Sequence, residues 1–341
     1  MDKSVSFSRP HLGRDVENVS ENRKRSLSNQ DTPVESKLQK FETGHNFSVL
    51  TNYVAERKGE REEMQDAHVT INDCTSNYSQ FVPSKAKRVA YYAVFDGHGG
   101  SRASLYAAKH LHVRLSEKLP SGTVANFDKE FKRQVMETFR IVDEEFLKLA
   151  SQNQPVWKDG TTACCVLILD DTAYIANLGD SKAVLCRFNA DKNKHIPIPL
   201  SREHNPTNYE ERMRIQKSGG TVREGRVLGI LEVSRSIGDG QYKRCGVINV
   251  PELKRCRLTS SDRFIIIACD GLWKVFKPDE ALEFVLKFLN DKSLTPPETW
   301  KRTLNDFVFQ TACNKLASEA VRKGSADNVT VIIIGVSKQD P

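Results

Sequence analysis

Hydrophobic positions change period several times along the chain, and each change marks an element. Residues 47–54 and 67–71 have the short apolar runs of strands, and the stretch between them, 55–66, is too polar for a core. After a polar insertion, VAYYAVF (Val89–Phe95) reads as a central strand by its apolar density. Steps of three and four then take over. Leu105, Ala108, Leu111, Leu115 and Leu119 form one helical stripe, ended by Pro120-Ser121-Gly122. Phe131, Val135, Phe139, Val142, Phe146 and Leu149 form a second.

Residues 161–169, 173–178 and 183–188 are three short apolar segments joined by tight Asp-rich or Gly-Asp turns, expected to form an antiparallel meander. Residues 207–218 read as a charged helix stopped by Gly219-Gly220, whereas 221–250 has no sustained period. Strands follow at 253–258 and 263–269, helices at 278–289 and 300–321, and a last strand at 329–336.

The order is strands, two helices, many strands, two helices, strand. It lacks the strand–helix alternation of a doubly wound sheet and fits an α+β class: two antiparallel sheets packed face to face with helix pairs outside, a four-layer α-β-β-α sandwich. Residues 1–46, polar and without period, are expected to be a disordered tail. Its Arg23-Lys24-Arg25-Ser26 reads as a solvated charge run, with a kinase site or a nuclear-import signal as the functional alternatives. Residues 47–338 are expected to be a single domain and 339–341 its C-terminal end.

Composition narrows the function. The 341 residues are 38% hydrophobic and 28% charged, ordinary for a soluble protein. The formal charge of +7 is interleaved along the chain, with no basic stripe or zinc-finger spacing, so no nucleic-acid partner is expected. No apolar run approaches the roughly 20 residues of a membrane span, so no membrane is expected either. The eight cysteines contain no C-x-x-C pair and follow no signal peptide, as expected of reduced thiols in the cytoplasm or nucleus.

The chemistry centres on DGHGG, where the central strand stops at Asp96 and the chain passes through Gly97, His98, Gly99 and Gly100 into a helix. Alone, this segment is equally a strand-to-helix turn. Asp270 in ACDGL and Asp327 in GSADNV share its grammar, a carboxylate at a small-residue turn beside an apolar strand, and Asp66 also adjoins one. Carboxylates on strand ends can meet in one cleft, and hard oxygen ligands suit magnesium or manganese. Arg61 offers a planar fork for phosphate oxygens. His98 can protonate a leaving alkoxide near neutral pH.

GEREEMQDAH (59–68), VFDGHGG (94–100), DGTTA (159–163), ANLGDS (176–181), EVSRSIGD (232–239), ACDGLW (268–273) and GSADNVTV (324–331), in that order, resemble the motif series of the metal-dependent protein serine/threonine phosphatases, the PP2C-like or PPM family, over residues 50–337. The resemblance implies hydrolysis of phosphoserine and phosphothreonine in proteins by water activated on two Mg²⁺ or Mn²⁺ ions, without a phosphoenzyme. It implies that Asp96 bridges both ions, that the Gly97 carbonyl joins one, that Asp270 and Asp327 complete the other, and that Asp66 stands just outside. It makes His98 the general acid, Arg61 the phosphate contact, and His68 an orienting neighbour. Asp159 is a candidate ligand of a third, weaker ion. Gln65 replaces a frequent Glu, which would weaken the field at the ions.

Asp180 and Asp239 read as turn carboxylates, Arg235 as a partner for such a carboxylate, and 205–225 as a flap beside the cleft. The expected partners are phosphorylated proteins and a kinase-pathway protein, bound by a monomer. None of the eight cysteines starts the C-x5-R pattern of thiol phosphatases, and Walker and kinase loops are absent. A phosphatase-like scaffold and a small-molecule phosphomonoesterase remain as alternatives.

Overall fold

The structure, a computed structural model, describes residues 49–78, 87–118 and 124–337, all within the unit His45–Pro341. The tail at 1–46 and the end at 339–341 lie outside the described residues.

The chain starts with β1 (Val49–Arg57), β2 (Ala67–Ile71), a single turn α1 (Thr75–Tyr78), β3 (Val89–Phe95) and the two-residue β4 (Gly97–His98). The helix pair α2 (Arg102–Ser116) and α3 (Val124–Ser151) leads into β5 (Gly160–Thr161), β6 (Ala163–Leu169), β7 (Thr172–Leu178), β8 (Lys182–Asn189) and β9 (Lys194–Pro199). A flap follows, with α4 (Tyr209–Lys217), β10 (Val222–Arg223), β11 (Arg226–Val227), β12 (Ile237–Gly238) and α5 (Gly240–Lys243). The chain closes with β13 (Glu252–Arg257), β14 (Asp262–Ala268), α6 (Asp270–Trp273), α7 (Pro278–Leu289), α8 (Leu304–Arg322) and β15 (Val329–Ser337).

Two five-stranded antiparallel sheets result, ordered β1-β15-β14-β8-β9 and β13-β7-β6-β3-β2. Strand side chains alternate between faces, so β3 divides its residues. Ala90, Tyr92 and Val94 meet Leu185, Ile265, Ile267 and Ile332 of the other sheet. Tyr91, Ala93 and Phe95 pack with Leu111 of α2 and Phe131 and Phe139 of α3. The outer face of the first sheet, including Tyr53, Phe264, Ile266 and Ile333, is covered by Leu282 and Val285 of α7 and by Phe309, Ala312 and Leu316 of α8. This is the α-β-β-α sandwich. Every residue of β3 is buried because both faces are covered, and truncating Ile267 to Ala in such a core costs about 2–5 kcal/mol.

Three details depart from the sequence reading. The meander breaks after β7, because β8 pairs with β14 in the opposite sheet, and Gly179-Asp180 carries the chain across. The inward row of α2 is Ala103, Ala107, Leu111 and Leu115, while Leu105 is 57% exposed. Ala107 packs with the sheet's outer face and Ala103 with Phe146 and Ala150 of α3. Finally, β9 was not anticipated. It is an edge strand beside β8, where Pro197 and Pro199 are tolerated because one side makes no ladder.

Candidate active site

The topology gathers strand ends at one edge of both sheets. Antiparallel pairing puts Ala67 opposite Phe95 and Ala268 opposite Val331, so the residues just beyond them, Asp66, Asp96, Asp270 and Asp327, emerge together. Asp180 joins them from the turn after β7. Ligand atoms of Asp96, Asp180 and Asp270 lie within 4.8 Å of one another, as do those of Asp66, Asp96 and Cys269.

Backbone contacts fix these carboxylates. The Asp96 amide donates to Thr162 Oγ1 (3.1 Å) and the Thr162 amide to the Asp96 carbonyl (2.9 Å). Thr330 Oγ1 donates to Asp66 Oδ2 (2.7 Å), whereas the buried Asp66 Oδ1 has no hydrogen-bond partner among the described residues. Gly97 permits the approach of the Gln65 carbonyl and Ser104 Oγ, which a Cβ would overlap. Desolvation and mutual repulsion make Asp66, Asp96, Asp180 and Asp270 resist ionisation. Asp96 is held well above the usual carboxylate range by burial, then by Asp270 and Asp66. Asp66 is pushed up to about 7 by burial, and Asp180 to about 7 by burial and then Asp270.

Among the described residues, Arg61 and Lys274 form ion pairs with this charge. Arg61 Nη2 lies 3.0 Å from Asp327 Oδ2. Lys274 Nζ lies 2.6 Å from Asp270 and 3.3 Å from Asp327. Burial alone would lower the Lys274 pKa, but Asp270 and its neighbours outweigh it and keep the ammonium charged.

Beside the carboxylates, His98 Nε2 lies 2.7 Å from Asp239 Oδ2. Burial disfavours the imidazolium, yet Asp239 prevails and raises the His98 pKa. The small sheet β12-β5-β4 holds this pair. Gly160 in β5 is required there, because a Cβ would overlap both Asp239 Oδ2 and His98 Nε2. A cleft of about 340 Å³ exposes Arg61, Asp96, His98, Asp180 and Asp327. A second cleft of about 450 Å³ reaches Asp270 and Lys274 and shares Asp180, Arg226 and Glu232 with the first.

The family profile described as Protein phosphatase 2C matches residues 53–329, spanning the whole arrangement. The chain belongs to the protein phosphatase 2C family. It is 55% identical over 328 residues to the integrin-linked kinase-associated serine/threonine phosphatase 2C of Bos taurus, covering 95% of this chain and 88% of that one. The Homo sapiens protein of the same name is 58% identical over 287 residues, covering 84% and 72%. Among solved structures, a C. elegans sex determining protein superposes with a TM-score of 0.67 at 27% identity, covering 85% of this chain and 65% of that chain. The chain is accordingly a metal-dependent serine/threonine phosphatase.

Within this phosphatase 2C site, several residues stand elsewhere than the sequence suggested. Asp180 is no mere turn carboxylate: it faces Asp96 and Asp270. Its signal was available, since Gly179-Asp180 after β7 repeats the strand-end grammar of Asp96. Asp239 likewise holds His98 rather than a backbone amide, across 141 positions that no local pattern links. Lys274 was missed. Asp159 is buried against Arg102, whose Nε donates to its Oδ1 at 2.8 Å, while its Oδ2 has no hydrogen-bond partner among the described residues. His68 bonds Glu56 through Nδ1 at 2.8 Å. The backbone of Gln65 is pinned by Asn328 Oδ1 at 2.7 Å.

Arg235 pairs not with a turn carboxylate but with the buried Glu211 of the flap helix α4, at 2.7 Å. Arg214 Nη1 (2.8 Å) and Ser234 Oγ (2.6 Å) complete that cradle. Burial would raise the Glu211 pKa, but Arg235, Arg214 and Ser234 prevail and hold it well below the ordinary range. Above the cradle, Ile215, Val227, Leu231, Val233, Tyr242 and Val247 form the flap's own core.

Proposed function

We propose that the carboxylate centre would hold two magnesium or manganese ions through Asp96, the Gly97 carbonyl, Asp270 and Asp327, with Asp66 beside them. The observation carrying this reading is the charge imbalance. Five aspartates converge on one edge, Asp66 Oδ1 is buried without a hydrogen-bond partner, and among the described residues only Lys274 and Arg61 pair with Asp270 and Asp327. Hard divalent cations fit an all-oxygen set of this kind. Cys269, the thiol beside the centre, does not disturb that fit: burial, then Asp66 and Asp96, hold its pKa well above the ordinary value, so it stays a neutral thiol. When bound, the ions supply Lewis-acid polarisation of phosphoryl oxygens and lower the pKa of water.

The chain's own groups divide the remaining work. Asp239 orients His98 and favours its protonated form, so that His98 gives a proton to the departing serine or threonine oxygen. Arg61, 59% exposed on its loop, swings from Asp327 to the phosphate and binds its oxygens with the guanidinium fork. No protein nucleophile is proposed and hence no phosphoenzyme. The two clefts share Asp180, Arg226 and Glu232 and are lined from His98 to Trp273, which favours segments of phosphorylated proteins over small phosphomonoesters.

Hydrolysis of a phosphothreonine peptide and of a small aryl phosphate with Mn²⁺, Mg²⁺ or chelator, for the wild type and Asp96→Ala, tests the reading. Chelator-insensitive turnover would overturn the mechanism, and a higher kcat/KM for the aryl ester would overturn the substrate class. An intact centre without turnover would return the scaffold reading. The eight cysteines are all free, which supports a reducing cytoplasmic or nuclear location; imaging of the tagged full chain checks it. The names of the bovine and human relatives support a kinase-pathway partner. A monomer is proposed, with its mass in solution as the test. No helix among the described residues is long and apolar enough to cross a membrane.

A further inference from the structure

Lys274 caps the end of α6, four residues after Asp270. Its ammonium touches three carboxylates from three parts of the chain: Asp270 Oδ2 at 2.6 Å, Asp327 Oδ2 at 3.3 Å and Glu232 Oε2 at 3.5 Å. Glu232 belongs to the flap segment and pairs through its other oxygen with Arg226. A continuous run of opposite charges, Arg61–Asp327–Lys274–Glu232–Arg226, therefore links the loop before β2, the metal centre and the flap.

We propose that Lys274 is a resident cation of the carboxylate centre, which weakens divalent-ion binding at Asp270 and Asp327 and tethers the flap through Glu232. The inference rests on the two-ion reading above. The five aspartates Asp66, Asp96, Asp180, Asp270 and Asp327 carry up to five negative charges, and two divalent ions supply four positive ones. Lys274 already neutralises part of the charge on Asp270 and Asp327 and occupies oxygen lone pairs that a divalent ion would use. An ammonium and a divalent ion sharing carboxylate oxygens repel each other strongly at these separations. Because Lys274 is 47% exposed, solvent screens part of that repulsion. An ordinary surface ion pair within one helix turn would contribute little; it would also leave ion affinity unchanged, which separates the two readings.

The test is calorimetric titration of Mn²⁺ into the metal-stripped full chain, comparing wild type, Lys274→Met, Lys274→Gln, Lys274→Arg and Asp96→Ala. Removing the charge, by Met or Gln, is expected to tighten Mn²⁺ binding about tenfold, while Lys274→Arg stays near wild type. Hydrogen exchange on the same samples reads the tether: backbone amides of 226–233 are expected to exchange faster in the metal-free Met and Gln variants and to keep wild-type protection with Arg. Unchanged or weaker Mn²⁺ binding in both neutral variants overturns the role in ion affinity, and unchanged exchange overturns the tether. If Asp96→Ala binds Mn²⁺ as the wild type does, the two-ion reading itself fails. If binding depends on Asp96 but not on Lys274, only the present inference fails.

Discussion

Two acidic sites, one in the flap and one at the strand ends, solve the burial of charge in opposite ways. Glu211 in the flap is one carboxylate met by two arginines and a serine hydroxyl. The centre gathers Asp66, Asp96, Asp180, Asp270 and Asp327, and among the described residues the ion pairs made there are those of Lys274 and Arg61. Consequently the Glu211 pKa falls, while those of Asp66, Asp96, Asp180 and Asp270 rise. A buried charge with its partners in place is architecture. Like charges crowded without partners call for a cation from outside. In these two sites the difference lies in what surrounds the carboxylate: Glu211 has cationic partners in contact, whereas Asp96 has other carboxylates.

The sharpest way to break this comparison is to remove the central carboxylate of each. Asp96→Ala should lower phosphopeptide turnover by roughly 10³-fold or more. It should also leave the urea midpoint of the metal-free protein unchanged or raised, since a repelling charge is gone. Glu211→Ala should do the reverse, costing about 3 kcal/mol because Arg235 and Arg214 lose their buried partner, with a smaller loss of turnover. A urea midpoint indifferent to Glu211 would remove the distinction.

His98→Ala tests the chemical side of the centre. A loss of roughly 10²-fold is expected on phosphothreonine peptides, and much less on an aryl phosphate, whose leaving group needs no proton. Equal losses on both would assign His98 to structure.

Glu211 also carries a pH signature. Its folded pKa is depressed below the ordinary 4.5, so its stabilisation is fully present above that value and drains away as pH falls through the acid range toward the folded pKa. Urea melts at pH 5 and pH 4 should therefore show a steeper loss for the wild type than for Glu211→Gln. The smallest expected effect is at Gln65→Glu, where an added charge beside the centre should tighten Mn²⁺ binding by about tenfold or less; unchanged metal dependence would remove Gln65 as a tuning residue.

Much of this was legible before folding. The bounds of β2, β3 and α7 follow from local hydrophobic period and flanking turn residues, as does the four-layer order of elements. Asp96, Asp270 and Asp327 stood out because each ends or begins an apolar strand at a small-residue turn, a pattern a few residues wide. The crossing of β8 into the opposite sheet was not legible, because a tight turn specifies a reversal but not which sheet receives the next strand. Neither was the pairing of His98 with Asp239, of Arg235 with Glu211, or of Lys274 with Asp327 and Glu232. Asp180 shows the boundary best. Its turn was visible from Gly179, and its place among the carboxylates was not. Backbone period and turn chemistry are set by neighbours along the chain, so the sequence alone determined which residues could be ligands. Electrostatic partnership falls off with distance in space, so only the packing of the two sheets decided which carboxylates were neutralised by the protein and which were left to demand a metal.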